Sequence, residues 1–244
     1  MTVKEYLFKK MSEGTIHMTL IDPDKQPAEL AAEIARTAEG MGSDAIMIGG
    51  STDVTQENLD ATAKAIKAVV DIPVIYFPSG AHALSRHCDA LYFMSMMNSR
   101  NLRMVMGEQV TASQIVKMLG IEPVSMGYII VEPGMKVGEV GQAEVIKRDD
   151  VKTAVSYALA AEYLGMSMVY LEAGSGAPQP VPPAMVATVK SQISIPLLVG
   201  GGIRDPQTAL AAKEAGANAI ITGTLVEGQD YSTRLGEVIA AIKG

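Results

Sequence analysis

The chain has a single cysteine, Cys88, so no internal disulfide can form, and no Cys/His cluster falls at zinc-ligand spacing. A structural zinc is therefore not expected, and a reducing cytoplasm is the natural home. Basic residues are also few: 20 Lys and Arg stand against 27 Asp and Glu, a formal charge of −7, and the longest basic run is Lys9-Lys10. Gripping nucleic acid, or anionic lipid by charge, needs clustered cations, so neither is an expected partner. No stretch approaches the roughly eighteen uninterrupted apolar residues of a membrane span. The N-terminal MTVKEYLFKKMSEG carries charges throughout, where a secretion signal would have an apolar core. Neither a span nor a signal is expected.

What the chain does have is apolar material, 48% of its 244 residues, distributed in short runs that end in small or charged residues. Eight recur: IHMTLID (16–22), AIMIGGS (45–51), VIYFPSG (74–80), ALYFMS (90–95), GYIIVE (127–132), MVYLEAGS (168–175), PLLVGGGI (196–203) and AIITGTLV (219–226). They lack polar/apolar alternation, as parallel strands buried on both faces do. Helical patterns separate most of them: PAELAAEIARTAEG behind Pro27, DDVKTAVSYALAAEYLG with aspartates suited to an N-cap, and DPQTALAAKEAG. An Ala-rich helix ending in Gly, followed by an apolar strand ending in Gly, appears three times. Eight β/α units in one domain, residues 1–244, predict an α/β fold of the TIM (β/α)8 barrel type. An open doubly wound sheet would show a G-x-G-x-x-G turn after its first strand, and none follows Asp22. Only AHALSRHCD separates the third strand from the fourth, too little for a crossover helix, so the third helix is expected to be missing or replaced by a short segment.

In such barrels the active face lies at the C-terminal ends of the strands, and phosphate commonly binds after strands seven and eight. VGGGIRD and TGT leave those two strands, with glycines that let backbone N–H groups approach phosphate oxygens. Gly174-Ser175-Gly176 after strand six offers a third side of the same cradle, the alternative being an ordinary turn before PQPVPP. Glu172 ends strand six, where a structural carboxylate would need a cation that the neighbouring sequence does not supply, which favours catalysis. Across the ring, strand one ends in Asp22-Pro23-Asp24-Lys25 and strand two in Gly49-Gly50-Ser51. Carboxylate and hydroxyl oxygens suit Mg²⁺, although a helix-starting turn capped by Asp reads the same way. Between the two sites lie VIYFPSG and LYFMSMMNSRNLRMVMG, Met-rich and aromatic, which suit either core or a groove for a long apolar ligand.

The ordered set TLIDPDK, GGS, YFPSG, YLEAGSGAP, VGGGIRDP and TGT spans nearly the whole chain. It closely resembles geranylgeranylglyceryl phosphate synthases, prenyltransferases that form the first ether bond of archaeal membrane phospholipids. Heptaprenylglyceryl phosphate synthases, with a longer prenyl donor, are the nearest relatives. The resemblance implies a barrel lacking its third helix, Mg²⁺ as cofactor, and sn-glycerol 1-phosphate and geranylgeranyl diphosphate as substrates. It implies a glycerol-phosphate site at Tyr170, Leu171, Glu172, Ala173, Gly174, Ser175, Gly176, Gly201, Gly202, Gly223 and Thr224, and a metal site at Asp22 and Ser51. It further implies a homo-oligomer built from dimers, up to a hexamer.

On this reading Glu172 is the general base for the glycerol hydroxyl, and Tyr170 orients the glycerol or lines the site. Lys25 would assist the metal at the departing diphosphate, and the product would leave toward a membrane surface by transient contact. Three rivals stay open. A sugar-phosphate isomerase would use Asp22 and Glu132 at the ends of strands one and five. A Schiff-base aldolase needs a lysine inside a strand, and none is there. A non-catalytic glycerol-phosphate or lipid-phosphate binding module would need the cradle but neither acid.

Overall fold

A computed structural model describes residues 1–228 and 230–244. Eight parallel strands close into one barrel in sequence order: β1 (Ile16–Ile21), β2 (Ala45–Ile48), β3 (Val74–Tyr76), β4 (Ala90–Met96), β5 (Glu122–Ile130), β6 (Met168–Glu172), β7 (Leu197–Gly200) and β8 (Ala219–Thr222), with β8 pairing back onto β1. Outside them lie α1 (Val3–Glu13), α2 (Ala28–Gly40), α3 (Gln56–Lys67), α4 (Glu108–Leu119), α5 (Met135–Val140), α6 (Val151–Tyr163), α7 (Pro183–Gln192), α8 (Pro206–Glu214) and α9 (Tyr231–Lys243). All eight apolar runs form strands. The absent helix is also as expected: residues 77–89 turn from β3 to β4 without one.

The two faces of each strand divide the core. On β6, Met168 and Tyr170 point into the barrel while Val169 and Leu171 join the layer between sheet and helices. Burying each such aliphatic side chain contributes about 2 kcal/mol before ordering costs. Helix starts follow the local chemistry. Asp150 accepts the Thr153 N–H (3.1 Å) at α6, and Asp205 accepts the Thr208 N–H (2.7 Å) at α8, where Pro206 occupies the first turn.

The N-terminal end of the barrel is closed by α1, whose Leu7 and Met11 pack with the interior residues Ile16, Met18 and Met47. Thr2 caps this helix with Glu5 in a capping box, and the Glu122 carboxylate accepts the Val3 and Lys4 N–H groups at 2.6 and 3.0 Å. This closes the floor of the barrel opposite the C-terminal ends of the strands.

In place of the third helix, Gln56 holds Leu84 by both N–H and C=O at 3.0 Å, and the Glu108 carboxylate accepts the Ala81 N–H at 2.7 Å. A π-helical turn, Arg103–Gly107, leads into α4 and packs beside β4. The wall of the barrel beside β4 is thus covered by a loop in place of a helix.

Candidate functional site

One continuous cavity opens at the C-terminal ends of the strands. Its lining includes Asp22, Lys25, Gly50 and Ser51 on one side, Glu172, Ser175 and Gly223 on another, and an apolar arm between them. The structure therefore joins at one cavity the two polar clusters that lie far apart in the chain.

Glu172 sits at the end of β6, 7% exposed, with its carboxylate against the cavity. Burial raises its carboxyl above the usual range. Hydrogen bonds from the Tyr170 hydroxyl, the Gly174 N–H (2.6 Å) and the Tyr128 hydroxyl pull in the opposite direction by favouring the charged form. No Lys or Arg pairs with it among the described residues. A desolvated carboxylate held by neutral donors and facing a cavity is equipped to take up a proton.

The loops after β6, β7 and β8 meet beside it. Ala173 N–H donates to Gly200 (3.1 Å), and the Ser175 and Thr224 hydroxyls are 3.4 Å apart. Gly174, Gly176, Gly201 and Gly202 all have φ between 72° and 99°, backbone that only glycine adopts without strain. A side chain on Gly201 would also strike Glu172 and, at 2.6 Å, the Gly174 nitrogen; on Gly202 it would lie 2.6 Å from the Gln179 backbone. Arg204 fastens this loop by donating to the carbonyls of Gly176 and Ala177, the latter at 2.8 Å. The result is a tight, backbone-lined concavity of the kind that receives phosphate.

On the opposite wall, Asp22 accepts the Asp24 N–H at 3.1 Å, and burial raises its carboxyl above its ordinary value. A Cβ on Gly50 would lie 2.5 Å from Asp22 Oδ1, so this glycine makes room for the carboxylate. Lys25, read from sequence as a diphosphate ligand, pairs with Glu227 at 2.8 Å and lies 4.0 Å from Asp22. Glu227 was not singled out by its sequence. It belongs to a 3-10 turn after β8, and only the closed barrel brings it to β1.

The apolar arm takes residues from both faces of β4: Tyr92, Met94 and Met96 from inside, Leu91 and Phe93 from outside. It runs over the rim where the third helix is absent, between Leu84 and Ala112, and Met104 of the π-helical turn also lines it. The Met-rich segment is thus part cavity wall and part core.

Three sequence expectations need adjustment. Leu171 and Ala173 point into the outer layer, so their side chains are turned away from the site and only their backbone can serve it. Tyr170, though beside Glu172, is fully buried beneath it and does not line the cavity; its hydroxyl packs against Gly200. Glu132 does not end strand five. β5 stops at Ile130, and Glu132 lies beyond an isolated bridge at Val131, its carboxylate 3.4 Å from the Arg148 N–H and away from the cavity. The acid pair that an isomerase reading needs is not formed. Tyr128 was missed altogether. It occupies an inward position on β5, and Met126, Tyr128 and Ile130 in alternation are the signal that could have found it.

The chain matches the model of the PcrB family over residues 9–242. It is 46% identical to a geranylgeranylglyceryl phosphate synthase of Thermoplasma volcanium, covering 100% of this chain and 97% of that protein. It is 51% identical to one of Thermococcus gammatolerans, covering 92% and 89%. The solved structure of (S)-3-O-geranylgeranylglyceryl phosphate synthase from Thermoplasma acidophilum, in complex with sn-glycerol-1-phosphate, superposes with a TM-score of 0.97 at 46% identity over 100% of this chain and 99% of that one.

Proposed function

We propose that this chain, which belongs to the PcrB family, is a prenyltransferase that joins sn-glycerol 1-phosphate to geranylgeranyl diphosphate through an ether bond, releasing diphosphate. The observation that carries this reading is the shape of one cavity: a glycine cradle and an unpaired buried carboxylate at one end, Asp22 and Ser51 at the other, and an apolar arm between.

The glycerol phosphate lies with its phosphate in the cradle of Ser175, Gly176, Gly202, Gly223 and Thr224, and its free hydroxyl toward Glu172. This separates two negative groups by the length of the glycerol, which is why a carboxylate and a phosphate cradle can share one loop. Glu172 accepts the hydroxyl proton as that oxygen attacks the first carbon of the prenyl diphosphate. A C–O bond forms there, the bond to diphosphate breaks, and its electrons leave with the diphosphate. The prenyl chain lies along Leu84, Leu91, Phe93, Met94 and Met104. At about 0.8 kcal/mol per buried CH₂, a chain of this kind contributes on the order of 10 kcal/mol before ordering costs.

Magnesium is part of the proposal, and the donor set fits it. The ion usually takes one or two protein oxygens, with water and substrate phosphate completing its shell, and Asp22 and Ser51 are hard oxygen donors lining the same wall. No cluster of three or more acidic, His or Cys side chains exists among the described residues, which suits an ion shared with substrate over one held by protein alone. When bound, it would neutralise charge on the departing diphosphate. Lys25 adds a second positive charge once drawn from Glu227.

The same reading makes the chain a cytoplasmic homo-oligomer. No helix among the described residues is long and apolar enough to cross a membrane. Leu102, Met106, Val110 and Met118 stay exposed along the π-helical turn and α4, an apolar stripe that supports contact between copies.

The test is incubation with Mg²⁺, labelled glycerol 1-phosphate and a ladder of prenyl diphosphates. An ether-linked product with the geranylgeranyl donor, lost on adding chelator, is expected. Absence of product with every donor would overturn the prenyltransferase reading, and full activity in excess chelator would overturn the metal.

A further inference from the structure

Lys25 stands between two carboxylates at the seam where β8 closes onto β1. Its Nζ lies 2.8 Å from Glu227 Oε1 and 4.0 Å from Asp22 Oδ2, and all three residues line the cavity. The nearer partner is the more distant one in sequence. Asp22 and Lys25 share one turn, in which the Lys25 and Gln26 N–H groups donate to the Asp22 carbonyl at 3.0 and 2.9 Å, so a small side-chain rotation would bring the ammonium onto Asp22. Glu227 comes from 202 residues away, on the 3-10 turn Thr224–Glu227 that also carries the cradle residue Thr224. Leu225 and Val226 of that turn are buried, and the Val226 N–H donates to the Gly223 carbonyl at 3.0 Å. A fixed piece of the barrel therefore delivers this carboxylate to Lys25.

The two oxygens of Asp22 are not equivalent. Oδ1 accepts the Asp24 N–H at 3.1 Å, which leaves Oδ2, the oxygen nearest Lys25, for a cation. Asp22 is also the more buried of the two acids, its side chain 19% exposed against 32% for Glu227, so water screens its charge less. Asp24, the other acid of this turn, makes no ion pair among the described residues. Glu227 is thus the one competitor that Asp22 meets for this ammonium among them.

We infer that Glu227 is a positioning residue acting through Lys25: it holds the ammonium away from Asp22 and so keeps Oδ2 open as a metal ligand. The inference rests on the magnesium site proposed at Asp22 and Ser51. A divalent ion needs the lone pairs of a carboxylate oxygen, and a lysine bonded directly to Oδ2 would occupy that oxygen and set like charges side by side. Held by Glu227, Lys25 stays at the edge of the site, within reach of a diphosphate.

The experiment is Mn²⁺ binding, with the metal alone as a spin probe for the magnesium site, read by electron paramagnetic resonance in the wild type, Glu227→Gln, Lys25→Gln and the double variant. Glu227→Gln should raise the Mn²⁺ dissociation constant about fivefold, the scale of one partly exposed ion pair, while the melting temperature stays within about 2 °C. In the Lys25→Gln background the same change should alter it by less than about twofold, because the competing ammonium is gone. No weakening in Glu227→Gln, or an equal weakening with and without Lys25, would overturn the proposal, the second because Glu227 would then act on the metal by its own charge. A crystal structure of Glu227→Gln reads the same point without metal: Lys25 Nζ should move to within about 3 Å of Asp22 Oδ2, and an ammonium that has come no closer would contradict the inference. Asp22→Asn separates the two readings. If it binds Mn²⁺ as the wild type does, the metal site itself fails, whereas Mn²⁺ binding lost in Asp22→Asn and unchanged in Glu227→Gln sinks only the role of Glu227.

Discussion

The two ends of this barrel treat buried polar groups in opposite ways. Near the N-terminal ends of β1 and β2, His17 is fully buried with both ring nitrogens engaged, by the Ser43 hydroxyl at 3.1 Å and the Thr222 hydroxyl at 2.9 Å. Beside it, Asp44 accepts the His17 N–H at 3.0 Å and pairs with Lys243 of α9 and with Lys10 of α1. The buried donors there find their acceptors within the protein, which leaves the cluster little to offer a ligand. At the mouth, Glu172 and Asp22 are also desolvated, yet both face the cavity; Glu172 pairs with no cation among the described residues, and the Lys25 that lies 4.0 Å from Asp22 is held closer by Glu227 at 2.8 Å. A closed polar network contributes stability, and an open one keeps its capacity for substrate. Mutations at the two ends should therefore separate cleanly into stability effects and turnover effects.

The largest effect is expected for Glu172→Gln. Turnover should fall by roughly 10² to 10⁴ in single-turnover kinetics, the range that a positioned general base contributes. Glycerol 1-phosphate binding by calorimetry and the melting temperature should barely change. A comparable loss of stability would place Glu172 with the structural cluster and break the contrast.

Gly201→Ala should fall between the two classes. It puts a Cβ against Glu172 and Gly174 on backbone with φ of 78°, so both cradle and carboxylate must shift. A stability loss of roughly 3 kcal/mol in urea unfolding, together with weaker substrate binding, is the expected outcome. At the floor, Asp44→Ala should cost about 2 kcal/mol while leaving kcat within about twofold, since it leaves Lys243 and the His17 N–H without their acceptor.

The floor also predicts a pH signature. Burial, with Lys243 adding repulsion, pushes the His17 imidazole down from 6.5 to about 3. The unfolded chain binds a proton on this histidine that the folded chain refuses, so its contribution to stability is complete above 6.5 and is lost as pH falls toward 3. His17→Gln should flatten the stability profile over that window. The smallest effect belongs to Arg204→Ala, which removes the clasp on Gly176 and Ala177. KM for glycerol 1-phosphate should rise about fivefold, corresponding to roughly 1 kcal/mol, with kcat nearly unchanged.

The strands were readable because all eight are buried on both faces and announce themselves as apolar runs. The Asp150 and Asp205 caps were readable because capping is local. The floor was not: α1 seals the barrel through Glu122, more than a hundred residues away in sequence. The start of β5 was hidden for a related reason, since Glu122 and Pro123 look unlike a strand until α1 uses the carboxylate. Within the candidate site, Glu172 was legible as the end of strand six and Tyr170 through the YLEAGSG motif, but nothing in the linear order says that Tyr128 lies beside them. The glycines carried a second meaning that only packing exposes. Gly50 and Gly201 leave room for Asp22 and Glu172, in addition to any contact with phosphate.

The most direct test of the central claim is a crystal structure with glycerol 1-phosphate and an unreactive prenyl thiodiphosphate bound together. The account predicts the phosphate on the Gly176, Gly202 and Thr224 loops, the free hydroxyl within about 3.2 Å of the Glu172 carboxylate, and the tail between Met94 and Met104. A hydroxyl turned away from Glu172, or a tail lying outside the apolar arm, would contradict it.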